Sequence, residues 1–413
     1  MQRRGTGMAE IRLQRQLGLL QVVLYGLGVT VGAGIYALVG GTITLAGDHA
    51  PVSFVLAALV MALPAACFAE LTGRLPFAAA EAHFVREGLG SRRLFLLVGL
   101  GVALIGIVST AAIAHGAVNY LVLALDLPVP LLLALVIGGC GLVAALGVKS
   151  SIGIAGALTL IEVGGLVLII GGGFWAGQDL AGQAVRAVPT TLSPTVWAGI
   201  MAASLLAFFA FIGFEDIDSI AEETIDPQRT LARGIFLTLA ITTVLYLGVV
   251  LTVLASGPLA EVASHPAPLT LAFTRNTGLP EVLLTVIASL ATLNGVIVQI
   301  LMAGRVLFGL AREGELPRGL GRLSPRSATP VRATALAASL ALGLALAFPI
   351  LRLAEWTSGL TLGVFALVCL SLARIHARGD PAPPGTFRVY RWVPVAGALA
   401  CIGLLIAGFA AGG

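Results

Sequence analysis

The sequence predicts an all-α polytopic membrane protein of about eleven transmembrane helices, and three observations carry that prediction. Of its 413 residues, 58% are hydrophobic and only 11% are charged, where a soluble domain is nearer a quarter charged. The apolar residues fall into runs of about 20, the length that crosses a hydrocarbon core. The basic residues alternate between connections. With the N-terminus inside, 21 of the 24 Lys and Arg lie on inner segments, and only Arg186, Arg275 and Arg352 lie on outer ones. That asymmetry orients membrane proteins, and one misplaced span would scramble it.

Residues 1–17 form a polar N-terminal segment with Arg3, Arg4, Arg12 and Arg15. Its apolar continuation starts only after Gln16 and runs past Tyr36, so it reads as a first helix rather than a cleaved signal peptide. Span 1 covers 18–45, and Asp48, His49 and Pro51 turn the chain. Span 2 covers 51–72 and is followed by a polar connection ending at Arg93. Span 3 covers 94–125 and stops at Asp126-Leu127-Pro128; span 4 covers 129–147; span 5 covers 151–173. A polar connection over 174–194 leads to span 6, 194–222, and span 7, 231–256. A Pro- and Ser/Thr-rich connection over 257–279 precedes span 8, 280–312. Spans 9 and 10 cover 331–350 and 353–376; span 11 covers 392–411. Spans 1–5 (18–173) and 6–10 (195–376) form two blocks of similar length, with 392–413 left over. An odd number of spans per block inverts the second block relative to the first.

The four cysteines, Cys67, Cys140, Cys369 and Cys401, all lie in apolar spans without metal-ligand spacing, so they read as small apolar residues. No disulfide, metal or cofactor is indicated. The basic balance is a topology signal, so no nucleic-acid partner is implied. The five histidines are scattered, which disfavours an enzyme. No P-loop occurs, which disfavours a nucleotide-driven pump.

The centre of span 1 reads Gly28-Val29-Thr30-Val31-Gly32-Ala33-Gly34-Ile35-Tyr36. With 52 glycines in the chain, a G-x-G triplet alone means little; its place at mid-membrane gives it weight. Glycines weaken a helix, and broken backbone at that depth survives only inside protein or beside a cavity. A half-helix starting near Gly34 would aim free N–H groups at an anion such as a carboxylate. Span 6 carries its own interruption at Phe208-Phe209-Ala210-Phe211-Ile212-Gly213-Phe214. Broken helices at matching places in two inverted halves point to a transport site.

Six acids follow that second break, from Glu215 to Asp226. At α-helical spacing Glu215, Asp218 and Glu222 share one face, which reads as the wall of an inner vestibule or as a helix end meeting water. Glu215 lies deepest and is the gating candidate. Glu162 stands alone in the middle of span 5. An isolated intramembrane carboxyl is a functional hypothesis by default, so Glu162 is the proton-coupling candidate, with a neutral interhelical hydrogen bond as the structural alternative. His115 in span 3 either lines the pocket or packs. Asn294 and Gln299 in span 8 either touch substrate or bond between helices. Among the aromatics Tyr25, Tyr36, Phe209 and Phe211, Phe209 is the gate candidate because it adjoins the break.

Gly28-x-x-x-Gly32-Ala33-Gly34-Ile35-Tyr36, Ala69-Glu70-Leu71, Val85-Arg86-Glu87 and Phe208 to Glu215 resemble the amino acid–polyamine–organocation permeases. So do Ala221-Glu222-Glu223 before Pro227, Gly304-Arg305, and Ala311-Arg312-Glu313-Gly314-Glu315-Leu316-Pro317. The resemblance runs through nearly the whole chain. It implies the leucine-transporter-type fold, a 5+5 inverted repeat with helices 1 and 6 broken, and amino acid transport by alternating access. It further implies that the substrate carboxylate meets Gly32, Ala33 and Gly34. The amine would meet carbonyls at Thr30, Phe209 and Ile212, and Phe209 would close over the substrate. Ala33 offers no side-chain donor, which leaves the work to backbone N–H groups. Some proton-coupled relatives carry a Lys in helix 5; the position that looks equivalent here is Glu162. A twelfth helix, common in the family, has no counterpart among the eleven spans.

The resulting expectation is a secondary transporter of the cell (inner) membrane, N-terminus cytoplasmic, carrying a small amino acid, driven by protons or by exchange. Sodium is less favoured, since no hydroxyl pair stands near Asn294. A neutral substrate is favoured. A cationic amino acid or polyamine is the alternative, with Glu215 or Glu162 as its counter-charge. A non-transporting amino acid sensor is the alternative of another class. No obligate protein partner is indicated.

Overall fold

The computed structural model describes residues 16–31, 34–75, 80–146, 152–324 and 329–412. Gly32, Ala33 and Lys149 lie outside them, as does nearly all of the N-terminal segment. Within the described residues every long element is a helix, and the β pairing is one isolated bridge.

Span 1 is described as two helices, α1 (Leu19–Val31) and α2 (Gly34–Ala46). A short 3-10 turn, in which Gly47 takes φ +57°, leads into α3 (Ala50–Arg74). The next three helices are α4 (Ala80–Leu89), α5 (Arg92–Leu121) and α6 (Val129–Leu146). Ser91 caps α5: its hydroxyl accepts the Leu94 N–H at 3.3 Å. After them come α7 (Ile152–Trp175), α8 (Leu180–Ala187) and α9 (Pro194–Phe211). A 3-10 segment, Phe214–Glu223, then leads to α10 (Pro227–Ala255). The remainder comprises α11 (Leu259–Ser264), α12 (Pro268–Thr277), α13 (Glu281–Arg312), α14 (Val331–Ala347), α15 (Ile350–Arg378) and α16 (Val393–Gly412). Nine helical stretches among the described residues are long and apolar enough to cross a membrane; α1 and α14 are shorter apolar helices.

Two expectations change. The polar connections are not plain loops: they hold α4, α8, α11 and α12. α4 looks polar because Arg86 and Glu87 face outward, yet Phe84 and Val85 are fully buried, and Phe84 packs edge-on against Phe68. Span 6 also does not continue as an α-helix past its break. The segment after Gly213 repeats every three residues, so an i, i+3, i+7 face is lost, and Glu215 and Asp218 share a face only with position 221.

The inner layer is α5 against α13. Their backbones approach closely because Gly106 faces Ala303 and the Gln299 carbonyl, where an added Cβ would sit 3.0–3.2 Å away. The ends of α1 and the 3-10 segment are tied by backbone. Leu17 pairs with Thr224 in the parallel bridge; the Gln16 and Leu17 N–H groups donate to Glu223 O, and Ile225 N–H donates to Leu17 O, at 2.8–2.9 Å.

Glu70 holds another corner. It is fully buried at the end of α3. Its Oε1 accepts from Arg74 Nε and lies 2.8 Å from His376 Nε2, while Oε2 accepts the Val389 N–H at 2.8 Å. One carboxylate thus joins α3, the end of α15 and the approach to α16. A buried charge that loses its partner costs about 3–5 kcal/mol. Glu70→Gln should therefore lower the unfolding midpoint in detergent sharply, whereas Arg352→Gln, an exposed side chain paired with its i+3 neighbour Glu355, should leave it nearly unchanged.

Candidate substrate site

The interruption of span 6 lies against span 1, beside Val29, Thr30 and Gly34. α9 ends at Phe211; Ile212 turns to an extended conformation, and Gly213 takes φ +126°, a region nearly closed to side chains. A Cβ on Gly213 would also lie 2.9–3.0 Å from the backbone of Val29 and Thr30. On the other side, a Cβ on Gly34 would clash with the Cα of Ala210. Glycine is needed at both positions because backbone meets backbone.

A small cavity opens at this junction. Gly28, Val29, Thr30 and Gly34 line it from α1 and α2, and Phe209 and Ile212 from the end of α9. Ser109 and Ile113 of α5 and Gly295, Val298 and Gln299 of α13 form the opposite wall. None of these residues is charged. Gly34, the first described residue of α2, is part of this lining.

The residues expected from the sequence divide accordingly. Thr30, Gly34, Phe209, Ile212 and Gln299 come together around the cavity. Gly32 and Ala33 lie outside the described residues. His115 is not in the lining: its Nε2 is 2.9 Å from Ala345 O, so it closes the C-terminal turn of α14. Glu215 is buried, and its Oε2 accepts the Gly213 N–H at 2.8 Å, a local cap on the break. Glu162 is buried at 1% exposure one step behind the wall. Its Oε1 accepts from Asn294 Nδ2 at 3.1 Å, and Oε2 has no partner among the described residues. Its backbone carbonyl accepts from Tyr36 Oη–H at 2.7 Å.

Sequence reading missed Tyr246. It stands on α10, fully buried, and its hydroxyl lies 2.9 Å from Thr30 O and 2.8 Å from Ala210 O. Those carbonyls belong to α1 and α9, so one hydroxyl ties α10 to both helices beside the cavity. Its ring rests against Phe211 and Phe54. Tyr246→Phe keeps the ring and strips the donor from two buried carbonyls, a loss of about 1–3 kcal/mol. Uptake should fall at least as steeply as thermal stability, which parallel uptake and melting measurements would separate.

The described residues thus form an all-helical bundle of membrane-length helices with an uncharged cavity at the break in span 6. The comparisons say which family: the amino acid permease model matches residues 17–412, and the chain belongs to that family. It is similar to the vacuolar cationic amino acid transporter 4 of Arabidopsis thaliana, 33% identical over 87% of this chain and 63% of that one. It also resembles the branched-chain amino acid permease of Bacillus subtilis, 27% identical over 92% of this chain and 84% of that one. The chain spans 60–63% of the length of the first plant relatives it matches. Its fold is shared with a manganese transporter of Eremococcus coleocola, at TM-score 0.67 over 98% of this chain and 90% of that one, with 17% identity. The all-helical membrane fold expected from the sequence is thus the one found, with nine candidate membrane spans among the described residues.

Proposed function

We propose that this chain is a secondary active amino acid permease that takes a neutral substrate by alternating access, with proton coupling or exchange as the driving mode. Spans 1–5 and 6–10 are then the inverted repeats, 18–173 and 195–376. The protein lies in the cell membrane with its N-terminus cytoplasmic, the orientation the basic residues favour. The observation that carries the reading is the uncharged cavity at the break in span 6, which Gly28, Thr30 and Gly34 line from span 1. A helix starting near Gly34, as the glycine run predicts, would suit a carboxylate, and the end of α9 at Phe209 and Ile212 offers carbonyls to an ammonium. A cationic side chain would want a carboxylate in the lining, and there is none: Glu215 caps Gly213, and Glu162 bonds Asn294. The likeness to a cationic transporter keeps that substrate class in the assay.

The test is uptake into proteoliposomes of purified protein, using labelled neutral, cationic and anionic amino acids. A pH gradient, a sodium gradient or internal unlabelled amino acid is imposed in turn. Concentrative uptake of neutral amino acids under the pH gradient or by exchange is expected. Binding without counterflow would instead indicate a sensor, and uptake of lysine or arginine alone would overturn the neutral reading.

A further inference from the structure

The cavity has two chemically different walls. The helix ends on the α1, α2 and α9 side present backbone groups, which serve what every amino acid shares. The α5 and α13 side faces what differs between amino acids, and it is not uniformly apolar. Ile113 and Val298 stand there beside Ser109 and Gln299. Gln299 is 6% exposed, and its Oε1 has no hydrogen-bond partner among the described residues. Thr30, also in the lining, is 1% exposed, and its hydroxyl has no partner either. That is unlike Thr110 and Thr292, whose hydroxyls donate to the carbonyl four residues back at 2.7 and 2.8 Å. Other buried threonines, Thr238 and Thr242 among them, also lack partners, but they do not line this cavity, where a ligand could supply one.

We infer that the cavity selects a neutral amino acid whose side chain carries a hydroxyl or a primary amide, with Gln299 as the residue that reads it. This rests on the permease reading above. A carboxamide offers an acceptor on one edge and donors on the other. A substrate hydroxyl or amide can both donate and accept, so it satisfies Gln299 whichever edge it meets. An aliphatic side chain of the same shape would fill the space, exclude water and leave the amide unpaired. Sites built to hydrogen-bond a substrate group discriminate strongly against the analogue lacking it, whereas apolar pockets separate isosteres weakly. The prediction therefore concerns pairs of equal size: threonine over valine, and asparagine over leucine.

The experiment is uptake of labelled threonine and labelled valine into proteoliposomes, each competed by unlabelled threonine, valine, asparagine and leucine. Wild-type protein should prefer threonine over valine by at least about tenfold. Gln299→Leu should bring that ratio to near one or reverse it, and a melting temperature in detergent close to that of wild type shows that the variant is folded. Wild-type uptake of valine or leucine equal to that of threonine overturns the inference and leaves the permease reading standing. So does a Gln299→Leu variant with an unchanged ratio. Should Gln299→Leu not fold, the wild-type ratio alone decides. Failure of every amino acid in the wider panel to enter overturns both.

Discussion

Gly34→Ala will bind and move substrate poorly or not at all, although it adds one methyl group. The new Cβ would clash with the Cα of Ala210 and lie 2.9 Å from its Cβ and 3.1 Å from its carbonyl carbon. Nothing at that contact is a flexible side-chain end that could turn aside. Either the start of α2 or the end of α9 must shift, and both define the cavity. Overpacking of this kind costs about 1–3 kcal/mol, and a displacement of about 1 Å in a positioned site costs on the order of a hundredfold in rate. The control is Gly164→Ala on α7, where an added Cβ meets nothing within 4 Å and alanine favours the helix. Uptake rate and melting temperature of the two variants against wild type make the check. A Gly34→Ala protein with normal uptake would mean that the two interruptions do not form the substrate site.

What could be read from the sequence follows from how each feature is encoded. Span positions were legible because length and hydropathy set them directly: α6, expected at 129–147, is Val129–Leu146, and α13, expected at 280–312, is Glu281–Arg312. The span 6 interruption was legible because Gly213 must be glycine. The acid run after it misled, because i, i+3, i+7 spacing carries meaning only if the helix is α. With its start fixed by Gly213 and Asp226 left-handed just before Pro227, that stretch winds as 3-10 instead. Tyr246 was illegible for a different reason. In an apolar run a tyrosine reads as packing, and only three dimensions show its hydroxyl between carbonyls of residues 30 and 210. His115 shows the converse: an intramembrane histidine looks like a site residue until its partner, the Ala345 carbonyl, is known. Pairings between distant spans leave no local signature.

Glu162→Gln should separate energy coupling from substrate movement. The substitution keeps the size of the side chain, and a Gln oxygen can still accept from Asn294 Nδ2, so the bond between α7 and α13 survives. What disappears is the exchangeable proton. Uptake driven by a pH gradient should drop by at least about tenfold, since a group with no proton to exchange contributes no general acid–base chemistry. Counterflow of the same amino acid, which needs no net proton movement, should persist. Undiminished gradient-driven accumulation would remove Glu162 from the coupling step; equal loss of accumulation and counterflow would make it structural. Geometry favours loss of gradient-driven uptake with counterflow kept. A buried charge is tolerated only with partners or water, so a carboxyl at 1% exposure would exchange its proton when a conformational change lets water in. The path by which substrate would sense that change is short. Tyr36, two residues after Gly34 on α2, donates to the carbonyl of Glu162 itself, and the Tyr36 carbonyl accepts from Tyr120 of α5 at 2.8 Å. On the other side, Asn294 precedes Gly295 of the cavity wall. The helix that lines the cavity at Gly34 is thereby hydrogen-bonded to the residue proposed to carry the proton, so a shift of α2 reaches Glu162 directly.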